Sequence, residues 1–117
     1  MEHSSHIREE LRQPAMELRR EIPDVLRAFA DLSKAAMADG ALSGATKELV
    51  ALAIAATREC DGCVVAHARG ARHAGATRQQ VAETMGVVIL MNGGPGTVWG
   101  PRALRAFDEA AEEPVAD

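Results

Sequence analysis

Aromatic side chains are nearly missing from this chain of 117 residues, which has one Trp, two Phe and no Tyr. That excludes the stacking platforms on which single-stranded nucleic acids are held. A basic excess is missing too. The net charge is -4, so there is no field to gather phosphates. No run approaches 18 consecutive apolar residues, and a membrane span is not expected. The start, MEHSSHIREELRQ, lacks the apolar stretch of a signal peptide, so a cytoplasmic protein is expected. No G-x-x-x-x-G-K-[ST] occurs, which excludes a P-loop. No βαβ alternation, internal repeat or low-complexity tract is present. Cysteine is scarce as well: two residues in a reducing compartment point to catalysis or metal binding before a structural disulfide.

What is abundant is small and apolar. Hydrophobic residues make up 47%, much of it alanine. Small side chains let helices approach closely, but each buries little area. Such a chain is expected to finish its core against partner subunits.

The patterning is helical nearly throughout and predicts one all-α domain over residues 1–117, a compact bundle of about six helices completed by oligomerisation. Residues 1–6 and 113–117 are expected to fray. A first helix covers Ile7 to Arg20, with Pro14 kinking or interrupting it. Pro23 suits the first turn of a second, which Asp39-Gly40 ends. Ser43 reads as the N-cap of a third helix, apolar nearly all round from Leu49 to Ala56 and so expected to be central and buried. A fourth starts at Cys60 or Asp61 and ends near Ala74, with Gly75 as C-cap. Thr77 and Gln80 form a capping box for a fifth, to about Met91, although Val87-Val88-Ile89 also suits a strand. Asn92-Gly93-Gly94-Pro95-Gly96 reads as a loop, and a last helix follows from Pro101 to Glu112. Trp99, Phe107, Met37, Met85 and Met91 are expected to pack in the core, and Arg69 and Arg72 to lie on a solvated or interface face.

The chemistry gathers in ELVALAIAATRECDGCVVAH, residues 48 to 67. Cys60 and Cys63 are three apart, and Cys63 and His67 four apart, so all three share one face of the fourth helix. Two thiols at that spacing can reach disulfide geometry. The helix N-terminus favours the thiolate, and His67 can take its proton or stabilise it as imidazolium. Glu48 sits early in an apolar helix, where a carboxylate needs a partner. His67 is the natural one, and the pair would orient the ring and pass a proton onward. Taken singly, each has an ordinary reading: a solvated first-turn Glu48, a core or surface His67, two packed thiols. Zinc would need a fourth ligand, usually from a second close pair. His73 lies elsewhere on the helix and His3 and His6 are far upstream, so no metal and no cofactor is expected.

The stretch from Glu48 through Cys60, Cys63 and His67, followed by His73-Ala74-Gly75-Ala76-Thr77, resembles the alkylhydroperoxidase D-like branch of the carboxymuconolactone decarboxylase family. The resemblance covers about residues 20 to 110. It implies an all-helical homo-oligomer, a trimer or a hexamer. It implies a thiol-dependent peroxidase or disulfide reductase that acts on a hydroperoxide and is recharged by an external dithiol of protein or lipoyl type. The catalytic set it implies is Glu48, Cys60, Cys63 and His67. Placement at the helix N-terminus makes Cys60 the cysteine expected to be more accessible to the reductant. Many members carry a His or Tyr just before the second cysteine as an extra relay group; here that position is Gly62. Two other readings follow from the same residues. One is a non-catalytic oligomeric redox sensor. The other is a lactone-processing enzyme using His67 and Glu48 alone.

Overall fold

The computed structural model describes residues 2–112, which form six helices: α1 Glu2–Glu21, α2 Pro23–Met37, α3 Gly44–Thr57, α4 Asp61–His73, α5 Arg78–Asn92 and α6 Gly94–Ala110. No strand occurs among the described residues, so the Val87-Val88-Ile89 run is helical. The all-α expectation holds. The capping residues act as their chemistry requires. Ser43 Oγ accepts from the Thr46 N–H at 3.1 Å, and Cys60 Sγ accepts from the Cys63 N–H at 3.3 Å. Thr77 and Gln80 bond reciprocally, each side chain accepting from the other's backbone N–H. After α4, Gly75 takes a left-handed conformation with φ of 95°.

Three local expectations differ from the structure. Pro14 lies inside α1 without interrupting it. The start of α1 is not frayed: it is helical from Glu2, and Ser4 is buried against Glu109 of α6, whose carboxylate accepts from both the Ser4 N–H and its hydroxyl. The expected fraying of residues 113–117 lies outside the described residues. The glycine-rich loop shrinks to Gly93 (φ 69°), and α6 begins at once, with Pro95 in its first turn, where a missing N–H costs nothing. Close packing explains this. A Cβ at Gly96 would come within 2.7 Å of Ile89 Cα, so α5 and α6 meet backbone to backbone there. Pro101 sits within α6 instead of opening it.

The core lies between α3, α4, α5 and α6. It is built from Leu52, Ala55, Ala56, Val64, Ala68, Ala71, Val81, Met85, Val88 and Ala103 around Phe107, with Trp99 packed on its edge. Met85 is therefore core as expected, but Met91 is largely exposed and Met37 only half-buried. The third helix is buried on one side only: Val50 and Ile54 face outward. Arg72 is not merely solvated. Its guanidinium donates to the Phe107 carbonyl and lies 4.1 Å over the Phe107 ring, tying α4 to α6. α2 buries no residue, and Val25, Phe29 and Leu32 are each at least 60% exposed.

Candidate active site

The α3–α4 connection sets the site. α3 ends at Thr57, Glu59 turns in the left-handed region (φ 54°), and Cys60 caps α4. A turn this short returns α4 antiparallel along α3. The second turn of α3 then lies beside the middle of α4. Glu48 and His67, 19 positions apart, meet at 2.8 Å between Oε1 and Nδ1. The carboxylate is the more enclosed, with 18% of its side chain exposed against 35% for the imidazole. An ionised Glu48 only accepts, so Nδ1 carries the proton and donates. Nε2 is then left as the working nitrogen.

Cys60 and Cys63 are joined as a disulfide, with Cα atoms 5.2 Å apart. Cys63 and His67 follow at one helical turn on the same face. The four residues singled out from the sequence therefore fall on two adjacent helices, with two contacts between them: one disulfide and one carboxylate–imidazole bond. The accessibility of the two cysteines is the reverse of the expectation. Cys63 is exposed and Cys60 half-buried. The cause is the cap: Cys60 precedes the helix and folds its sulfur over the first turn, whereas Cys63 projects outward from that turn.

Two glycines shape the site, and their roles were not visible in the sequence. A Cβ on Gly70 would lie 2.5 to 2.7 Å from the Glu48 carboxyl atoms. The missing side chain is the slot in which that carboxylate sits. The only sequence signal was a glycine within a helix, where it weakens the helix relative to alanine. Gly62 faces the other way. A Cβ there would stand 3.1 Å from Leu11 Cδ1, so this position packs against α1. The start of α1 also reaches the cysteine turn, with His3 Nε2 3.7 Å from Asp61 Oδ1. Among the described residues, no three His, Cys, Asp or Glu side chains converge as a metal site. No described helix is long and apolar enough to cross a membrane.

Comparison with known proteins agrees with this architecture. Residues 23–112 match the model of the carboxymuconolactone decarboxylase family. An uncharacterized protein of Cupriavidus necator is 44% identical over 86 residues, 74% of this chain and 76% of its own length. An uncharacterized protein of Haemophilus influenzae is 37% identical over 91% of this chain and 90% of its own. The crystal structure of an apo carboxymuconolactone decarboxylase family protein from Legionella pneumophila superposes with a TM-score of 0.90 at 36% identity. That match covers 95% of this chain and 99% of the other. With the family's pattern spanning five of its six helices and a solved member superposing on nearly its whole length, this chain belongs to the carboxymuconolactone decarboxylase family.

Proposed function

We propose that the protein is a thiol-dependent peroxidase of the alkylhydroperoxidase D-like type. The observation that carries this reading is the Glu48–His67 bond on the helix face that also bears Cys63. In the reduced enzyme, His67 takes the Cys63 proton on Nε2 while Glu48 holds the ring through Nδ1. The Cys63 thiolate attacks the terminal oxygen of a hydroperoxide. An S–O bond forms, the O–O bond breaks, and the departing alkoxide takes the proton from His67 to leave as the alcohol. The Cys60 thiol then attacks the sulfenic acid, forming the disulfide and releasing water. An external dithiol reduces the pair by exchange and becomes a disulfide itself. The more exposed Cys63 is the sulfur that the reductant meets first. A reducing compartment, the cytoplasm, suits this cycle.

The working form is a homo-oligomer, a trimer or hexamer. The support is the apolar surface left open in one chain: Phe29 and Leu32 on α2, and Ile54, Leu90 and Met91 on α3 and α5.

The reduced protein should lose both thiols under mild peroxide and regain them with a dithiol reductant, and Cys63→Ser should consume no peroxide. A Cys63→Ser protein as fast as wild type would overturn the mechanism. A second reading draws on Gly62, whose place against Leu11 removes one relay group: a reversible redox switch without turnover. Steady-state reduction of peroxide at the expense of a protein or lipoyl dithiol decides against it.

A further inference from the structure

A cleft of about 1020 Å³ separates α1 from α4, and its α4 wall is part of the dithiol helix. Gly62, Ala66 and Arg69 line that wall. Gly62 lies inside the C-x-x-C pair. Ala66 is exposed and stands one turn beyond exposed Cys63 on the same side of the helix. Cys63 itself does not line the cleft; Gly62 and Ala66 carry its α4 wall to within one helical turn of that residue. Its other wall is the face of α1 that carries Arg8, Arg12 and Arg19. Four guanidinium groups thus face one lining carboxylate, Glu9, in a chain whose net charge is -4. Arg8 and Arg69 already have partners within the chain. Arg12 meets Glu9 only at 3.8 Å, with both side chains more than 70% exposed. Between these cations the lining is apolar, from Leu11 on α1 to Val65 and Ala66 on α4.

We propose, resting on the peroxidase reading above, that this cleft recognises its substrate: an amphipathic organic hydroperoxide that carries a carboxylate. Arginine forks bind carboxylates in paired hydrogen bonds, and a cleft with low-polarity walls strengthens that attraction. Arg12 and Arg19 hold the carboxylate. The hydrocarbon chain lies on Leu11 and Ala66, and the hydroperoxide end approaches Cys63. From Arg12 to Arg19 the helix rises about 10 Å, so the carboxylate can be held at more than one distance from the sulfur. Hydrogen peroxide, small and uncharged, gains nothing from either feature.

Two measurements test this, one of which needs no turnover. The oxidised protein should bind decanoate, and the double replacement R12A/R19A should weaken binding at least tenfold; added salt should weaken it in wild type. In peroxidase assays, a fatty-acid hydroperoxide should be preferred over its methyl ester by about tenfold in kcat/KM, and R12A/R19A should bring the ratio close to one. Equal binding of decanoate by wild type and R12A/R19A overturns the proposal, as does a wild-type acid-to-ester ratio near one. So does a change of oligomeric state in R12A/R19A with decanoate binding intact, which would make the cleft a subunit contact. Decanoate binding lost in R12A/R19A, in a wild type without peroxidase turnover, supports the cleft and refutes the catalytic reading. Turnover that ignores the carboxylate does the reverse.

Discussion

The four-helix body, α3 to α6, and the arm, α1 and α2, use apolar residues in opposite ways. The body buries mostly small ones, with Phe107 as the single large aromatic at its centre. The arm carries larger ones outward: α2 buries none of its residues, and Leu11 and Leu18 of α1 are about half exposed. The first turns of α1 are tied to the body through Ser4 on Glu109 and His3 beside Asp61, and Leu11 packs at Gly62. The body thus contains the core and carries the Glu48–His67 pair, although Ile54, Leu90 and Met91 on its outer side are exposed. The arm presents apolar surface that one chain does not cover, which is what an element that docks on another chain looks like.

The sharpest way to break this comparison is to truncate one aromatic in each region. Phe107→Ala should cost ~3–5 kcal/mol of stability, since it leaves a cavity and strips Arg72 of its ring. Phe29→Ala, 64% exposed, should cost less than about 0.5 kcal/mol in a dissociated chain. If the arm docks on a second copy, that cost grows with protein concentration in thermal melts. A large concentration-independent loss for Phe29→Ala would mean that the arm is part of the body.

Within the body, Gly70 tests how far the site depends on one carboxylate. Gly70→Ala should lower the rate of Cys63 alkylation at neutral pH by about 10- to 100-fold, as Glu48→Gln should, because a displaced base loses much of its effect. Its melting temperature should stay level or rise, since alanine favours a helix over glycine. The double variant should be no slower than Glu48→Gln alone. Additive losses would show that Gly70 acts elsewhere.

The contact between arm and body has a pH signature. Burial pushes the Glu109 carboxyl up, but the hydrogen bonds it accepts, Ser4's among them, more than offset that and leave it below its ordinary 4.5. A carboxylate lowered in the folded state stabilises above its unfolded value, and the gain fades as pH falls through the folded one. Wild type should therefore exceed Glu109→Gln by ~1–3 kcal/mol at pH 7, the difference shrinking below pH 4.5. A constant difference from pH 7 to pH 3 in denaturant titrations would rule this out. The smallest effect belongs to Asp108, which the hydrogen bond from Arg78 lowers from 3.8. That pair lies at the surface. Asp108→Asn should narrow the acid limb only slightly, and 1 M salt should erase most of its effect.

How much was legible differs residue by residue. The caps at Ser43 and Thr77 are local: a side chain bonds to an amide three residues on, so short patterns reveal them, whereas Cys60 was legible only as a possible start of α4. The Cys63–His67 spacing is legible for the same reason. Gly93–Gly96 misled because glycine and proline mark both a loop and a close helix crossing, and only the neighbour across the gap, Ile89, distinguishes them. Val50 and Ile54 misled because apolar residues on every side of a helix suit a buried helix and a subunit interface equally.

By itself the amino-acid order determined an all-helical chain, the ends of most helices and a dithiol one turn from a histidine, because those features depend on bonds within a few residues. Tertiary structure decided what lies across the gaps. It brought Glu48 to His67 and cut the carboxylate's slot at Gly70. It turned Gly62 toward Leu11. Each of these depends on how two helices cross, and that crossing is set by side chains far apart in the chain that must share one interior volume.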